Sequence, residues 1–282
     1  MTVMEYETEL AHIWRSAVDP KGIGMAEALA EDIAAHTGEP PGLVLERMAR
    51  GKQDFRLEWE QSGIDPTDAS SVAHFYREQL VEAYELAEWH SGRLNGHPPL
   101  NYAHAAYLAR TKKLSRVLDF GSGIGTGALC LVNAGCRVDC ADINKALLSF
   151  VRRRVALRGL TVDTIDLAEA SPPERTYDLV TCFDVLEHIP DQFSELRRLQ
   201  SYLRPGGYLL VNLMKNAIDP DRPMHVSSAP DWLRMIRGTR MVPDWDWFRS
   251  GQDHIAQALV YRRWGRARNT LGLCVDMVQR AR

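Results

Sequence analysis

The chain has 282 residues, 45% hydrophobic and 25% charged, without a low-complexity tract; this excludes fibrous and disordered classes and suits one large domain, alone or with an appended subdomain. Its net charge of −3 is spread as −10 over residues 1–100, +2 over 101–260 and +5 over 261–282, so the acidic front is a poor footprint for a nucleic-acid backbone and the arginines from Arg262 to Arg282 read as a solvated helix face. No apolar run approaches the roughly 18 to 20 residues of a membrane-spanning helix, and the start MTVMEYETEL lacks the basic-then-apolar layout of a secretory signal, so a cytoplasmic chain without a membrane span is expected.

Along residues 1–113 apolar side chains recur at helical spacing, which predicts a helical cap or lid region with segments near 4–17, 24–36 and 41–60, divided by Pro- and Gly-containing turns. The clearest helix is predicted from Ser71 to Trp89, because Val72, Phe75, Tyr76, Leu80, Ala83, Tyr84 and Ala87 fall at three- and four-residue steps and Ser91-Gly92 ends the run. After His97-Pro98-Pro99 a further helix carries Tyr102, Ala106 and Leu108. At Arg116 short β-branched runs begin to alternate with helical stretches, as in a parallel sheet with crossover helices. Strands are predicted at 116–120, 137–142, 161–165, 178–183 and 207–213, with helices near 125–134, 145–158 and 191–203. The stretches 241–248 and 254–262 would add an antiparallel pair at the sheet end, giving a domain over 114–264, and 265–282 reads as a basic C-terminal helix or tail.

Five cysteines at 130, 136, 140, 182 and 274 include no CxxC pair, which argues against a zinc site and a disulfide framework; no metal is expected. In an open α/β sheet the ligand belongs beyond the carboxyl ends of the strands, near the first crossover. There the chain reads Asp119-Phe120-Gly121-Ser122-Gly123-Ile124-Gly125, where glycines let the backbone turn tightly and a ligand approach closely. Gly123, Gly125 and Ala128 also satisfy the dinucleotide pattern GxGxxA, which keeps an NAD(P)-dependent oxidoreductase open. Against it, a carboxylate at Asp119 repels a pyrophosphate and suits a cationic ligand, while Asp142 at the second strand's end can accept two ribose hydroxyls.

These residues resemble class I S-adenosylmethionine-dependent methyltransferases of the small-molecule, quinone-biosynthesis-like type over about 114–214. Asp119 to Gly125 looks like their first motif, Asp142 with Ile143 like the ribose-binding acid and its neighbour, and Asp166-Leu167 like the pair that holds the adenine. Phe183-Asp184-Val185-Leu186-Glu187-His188 is similar to their motif after the fourth strand, and Leu203-Arg204-Pro205-Gly206-Gly207 to the turn before the fifth. The resemblance implies a Rossmann-like doubly wound seven-stranded α/β sheet with the last strand antiparallel, under an N-terminal α-helical cap. It implies S-adenosyl-L-methionine as cofactor, held by Asp119, Gly121, Ser122, Gly123, Gly125, Asp142, Ile143, Asp166, Leu167, Phe183 and Asp184, and methyl transfer to oxygen, nitrogen or carbon of a small molecule. A protein that binds the same cofactor for regulation or a non-methylating reaction is the alternative, and a homodimer stays open.

In-line methyl transfer needs alignment and exclusion of water, with a proton acceptor only where the nucleophile loses a proton. The candidates are His188 after the fourth strand, His225 in the polar loop after the fifth, and His90 at the end of the strongest front helix. Each has a plainer reading, respectively as a turn cap, a surface-loop residue and a charge complement at a helix C-terminus. Acceptor specificity is expected to reside in residues 1–113 and in the 215–240 loop.

Overall fold

The computed structural model describes residues 2–77, 79–212, 222–225, 239, 241–244 and 259–263. The front block forms α1 (Val3–Val18), α2 (Met25–Thr37), α3 (Pro41–Ser62), α4 (Ala69–Tyr76), α5 (Val81–His90) and α6 (Asn101–Lys112). Thr2 and Glu5 cap α1 reciprocally, Pro41 opens α3, and Gly38 and Gly63 close α2 and α3 in left-handed conformation. The single helix expected over 71–89 is divided into α4 and α5. Between them the Lys145 amide donates to the Arg77 carbonyl at 2.9 Å and the Asn144 side chain to the Gln79 carbonyl at 2.8 Å. These carbonyls are bound from the sheet side instead of by the next helical turn, so tertiary contact overrides local periodicity.

From Arg116 the chain forms β1 (Arg116–Phe120), α7 (Thr126–Asn133), β2 (Arg137–Asp142), α8 (Lys145–Ala156), β3 (Asp163–Asp166) and β4 (Tyr177–Cys182). A 3-10 turn (Leu186–His188), α9 (Gln192–Tyr202), β5 (Leu203–Val211), β6 (Met241–Pro243) and β7 (Leu259–Arg263) follow. The strand order is β3-β2-β1-β4-β5-β7-β6, with β1 to β5 parallel and β7 antiparallel to both neighbours, which is the expected Rossmann-like doubly wound α/β sheet. The direction of winding reverses between β1 and β4, and there the carboxyl ends align, with Phe120 opposite Ala141 and Cys182. β5 starts earlier than expected because Tyr177 pairs with Leu203 before the register shifts past Arg204-Pro205-Gly206 to Leu179 and Tyr208. The remainder of the predicted stretches 241–248 and 254–262, most of the 215–240 loop and the 265–282 segment lie outside the described residues.

Strand side chains alternate between two cores. Val117, Leu179 and Leu210 pack with α7, α8 and the cap residues Leu10, Trp14 and Leu29, whereas Leu118, Val180 and Leu209 pack with Leu196, Leu199 and Tyr202 of α9. Cap and sheet therefore share one apolar interior. A third cluster joins Phe55 and Trp59 of α3 to Val72, Phe75 and Tyr76 of α4 and to Met224, with Ile143 against it, and so brings α4 to the carboxyl edge of the sheet. Among the described residues no helix is long and apolar enough to cross a membrane.

Candidate active site

A cavity of about 330 Å³ opens at the carboxyl edge between sheet and cap. Its floor is the glycine turn. Gly121 has φ +69°, and a Cβ there would lie 2.1 Å from Cγ2 of Val185; Gly123 has φ +50°. The Gly123 amide donates to Oδ2 of Asp142 at 2.8 Å, and the Asn144 amide donates to Oδ1 at 2.9 Å. Asp142 is thus locked to the turn through backbone donors on both oxygens, and it lines the cavity with Ile143 and Leu167. Burial raises its carboxyl, against the amides of Asn144, Gly123 and Ile143. Glu82 of α5, absent from the sequence-based candidates, also lines the cavity; burial and then the charge of Asp142 push it well above the carboxylate range, and its Oε2 accepts from Asn144 at 3.1 Å.

Asp119 sits beneath the turn, outside the cavity wall. It is 2% exposed, accepts from the Thr181 hydroxyl at 2.7 Å through Oδ1, and a Cβ on Gly127 would lie 2.8 Å from its Oδ2. Burial raises it to about 6, opposed by the Thr181 hydroxyl. Asp166 likewise stands outside the wall: the Ala168 amide donates to its Oδ1 at 2.9 Å and Arg77 reaches the same oxygen at 3.4 Å. Ser122 lines the cavity while Gly125, at φ +74°, shapes the turn into α7.

At the other end lie Phe183, Asp184 and His188. Asp184 holds φ +55°, a left-handed conformation costing a non-glycine residue about 1–2 kcal/mol. Asn212 stabilises it by accepting from the Asp184 amide at 2.8 Å and donating to Oδ1 at 2.6 Å. Glu187, 3% exposed, is the neighbouring carboxyl. Burial and then the charge of Asp184 raise Glu187, and burial raises Asp184 less, against Asn212 and Asn101, so Glu187 is the more readily protonated of the two. Arg222 lowers both carboxyls and also acts on Glu85 and His188. Nothing in the sequence pattern around Arg222 signals that role.

The Tyr76 hydroxyl is 3.0 Å from Nδ1 of His188, and the rings of His188 and His225 meet edge to face at 4.9 Å. Burial and then His225 push His188 down to about 3, so its ring is neutral. His188 and His225 are therefore brought together, with His188 on the cavity wall and His225 outside it. His90 lines a different part of the cavity and bonds to Thr126 instead. Glu187, His188 and His225 bring ligand atoms within 4.8 Å of one another, a grouping able to hold a metal ion that the sequence did not suggest. Its Nδ1 contact to Tyr76 and the charge of Arg222 on Glu187 already serve two of the three groups.

A sequence profile described as a methyltransferase domain matches residues 76–269. Among curated proteins, a ubiquinone biosynthesis O-methyltransferase of Xanthomonas campestris pv. campestris is 29% identical over 161 residues, covering 54% of this chain and 66% of the relative. The same-named protein of Stutzerimonas stutzeri is 34% identical over 101 residues, covering 34% and 43%. The chain thus aligns with less than two thirds of either relative's length. The solved 1,6-didemethyltoxoflavin-N1-methyltransferase of Burkholderia thailandensis, with 1,6-didemethyltoxoflavin and S-adenosylhomocysteine bound, aligns at 16% identity and TM-score 0.44, covering 66% of this chain and 88% of that one.

Proposed function

The chain belongs to the methyltransferase-domain family, and from that premise we propose that it transfers a methyl group from S-adenosyl-L-methionine to the hydroxyl of a small, largely apolar acceptor. The observation that carries this reading is a single cavity joining Asp142 and the glycine turn to Asp184 and His188. The residues suit an adenosine: Gly121 leaves backbone open where a Cβ would clash, the Asp142 carboxylate has lone pairs beyond its backbone donors, and Ile143 and Leu167 offer apolar contact. When bound, the cofactor supplies a methyl group on a positively charged sulfur.

The chain's own part is alignment and proton removal. Tyr76, Val72, Ile189 and Pro190 form an apolar wall that excludes water and seats the acceptor, and Phe183 and Tyr102, 5.2 Å apart edge to face, also line the cavity. Asp184, ionised near neutral pH and held by Asn212, is the proton acceptor; neutral His188, oriented by Tyr76, is too weakly basic and serves to position the hydroxyl. This moves the base from His188, the first candidate in the sequence, to Asp184. The oxygen specificity in the names of the Xanthomonas and Stutzerimonas relatives supports a hydroxyl acceptor. A cytoplasmic enzyme acting as a homodimer completes the reading; the buried free thiols of Cys130, Cys136, Cys140 and Cys182 accord with a reducing compartment, and light scattering reports the subunit number.

Isotope-labelled S-adenosylmethionine incubated with a panel of phenols and enols tests the reaction. Label on oxygen supports it. No transfer to any acceptor, with NAD(P) binding in place of S-adenosylhomocysteine, overturns it.

A further inference from the structure

A chain of buried polar contacts runs from the cap through α8 and the glycine turn to the cavity. Asp32 of α2 accepts from Arg154 Nε at 2.8 Å and from Arg158 at 2.7 and 2.9 Å. Arg154, 0% exposed, donates through one terminal nitrogen to the Ile124 carbonyl at 2.7 Å and to the Thr126 hydroxyl oxygen at 2.9 Å. An arginine only donates, so the Thr126 proton is available for another acceptor, and His90 Nδ1 lies 2.9 Å from its oxygen. Nδ1 can accept that proton, and in that tautomer the single proton of a neutral imidazole sits on Nε2.

Burial and the nearby charge of Arg154 keep His90 neutral, with a pKa near 3. Trp14, Trp89 and Tyr102 stand around the ring at centroid distances of 5.2 to 5.5 Å, which holds its plane. His90 is 3% exposed and lines the cavity, yet Nε2 has no hydrogen-bond partner among the described residues; the same holds for the buried Ser122 hydroxyl on the same wall. Two buried donors without partners, one on a residue bonded to Thr126 at the start of α7 and one in the turn that leads into it, have the chemistry to take an anionic oxygen. If Asp142 takes the ribose of S-adenosylmethionine, the one anionic group of that cofactor, its amino-acid carboxylate, is the matching ligand.

We propose that Asp32, Arg154 and Thr126 are positioning residues that fix His90 as an Nε2–H donor to the carboxylate of the bound cofactor, which makes the helical cap a part of the cofactor site. This rests on the methyltransferase reading above. A neutral donor with a preset tautomer recognises the carboxylate without attracting a proton, so His90 is a binding group and not the base expected of it in the sequence.

The test compares S-adenosylhomocysteine with 5′-methylthioadenosine, which has the ribose and lacks the amino-acid end, by titration calorimetry. Thr126→Val should weaken S-adenosylhomocysteine about tenfold and leave 5′-methylthioadenosine within twofold, as expected for one hydrogen bond to a charged group. Thr126→Ser should restore wild-type affinity. His90→Phe, which keeps the ring and removes both nitrogens, gives the same selective loss and serves if the valine variant does not fold. Nitrogen-15 spectra of the wild-type imidazole should show His90 protonated at Nε2 alone, with that preference lost in Thr126→Val. Equal weakening of both ligands, no weakening of either, or a proton on Nδ1 overturns the proposal while the cofactor reading stands. Wild-type protein that binds neither ligand overturns both.

Discussion

Asp142→Ala tests the cofactor site at its most defined point. The carboxylate is buried, its two oxygens accept from the Gly123 and Asn144 amides at 2.8 and 2.9 Å, and the residue lines the cavity. Two hydrogen bonds from ribose hydroxyls to a charged acceptor contribute about 1.5 kcal/mol each, together about 3 kcal/mol, or roughly 150-fold in Kd. The substitution also leaves the Gly123 amide without its partner, which loosens the turn. Asp142→Asn keeps one carbonyl acceptor and the shape, and should lose roughly tenfold. Calorimetry with S-adenosylhomocysteine reads both values, and 5′-methylthioadenosine should lose as much as S-adenosylhomocysteine because both carry the ribose. A Kd for Asp142→Ala within threefold of wild type, in protein with an unchanged melting temperature, refutes the assignment.

Four further outcomes are expected. Gly121→Ala puts a methyl group 2.1 Å from Val185 Cγ2 at φ +69°, and should cost about 2 kcal/mol in chemical denaturation, part of which Val185→Ala recovers by removing the clash but not the strain. Turnover should rise with pH through about 6, because Asp184 must be ionised to accept a proton; Asp184→Asn should abolish that limb and lower kcat, and an unchanged profile removes Asp184 from the role. Glu187 is raised from 4.5 to about 8 on folding, so the unfolded chain ionises first and stability falls as pH rises across that window; Glu187→Gln should raise the melting temperature at pH 8 and not at pH 5. Arg154→Met strands buried Asp32 with only Arg158 and should lower stability by about 3 kcal/mol, or roughly 10 °C, in calorimetric melts.

The parts of the site set by neighbouring residues were legible in the sequence. A strand followed by three closely spaced glycines fixes a tight turn, and Asp142 is carried beside it by parallel pairing of β1 with β2, as the shared register of Phe120 and Ala141 requires. What pattern alone does not reveal depends on remote contact. The break between α4 and α5 is made by residues 144 and 145, and Asp32 meets Arg154 from 122 positions away. Glu82 reads as an ordinary exposed helix acid until α5 docks over Asn144. His188 lines the cavity, but its weak basicity follows from its burial and from His225, which periodicity does not disclose.

A crystal structure with S-adenosylhomocysteine bound tests the central claim most directly. The ribose hydroxyls should lie on the two oxygens of Asp142, with the sulfur facing the open space bounded by Phe183, Asp184 and His188. Ligand density anywhere else, or a dinucleotide pyrophosphate seated on the Gly121–Gly123 turn, would contradict the account.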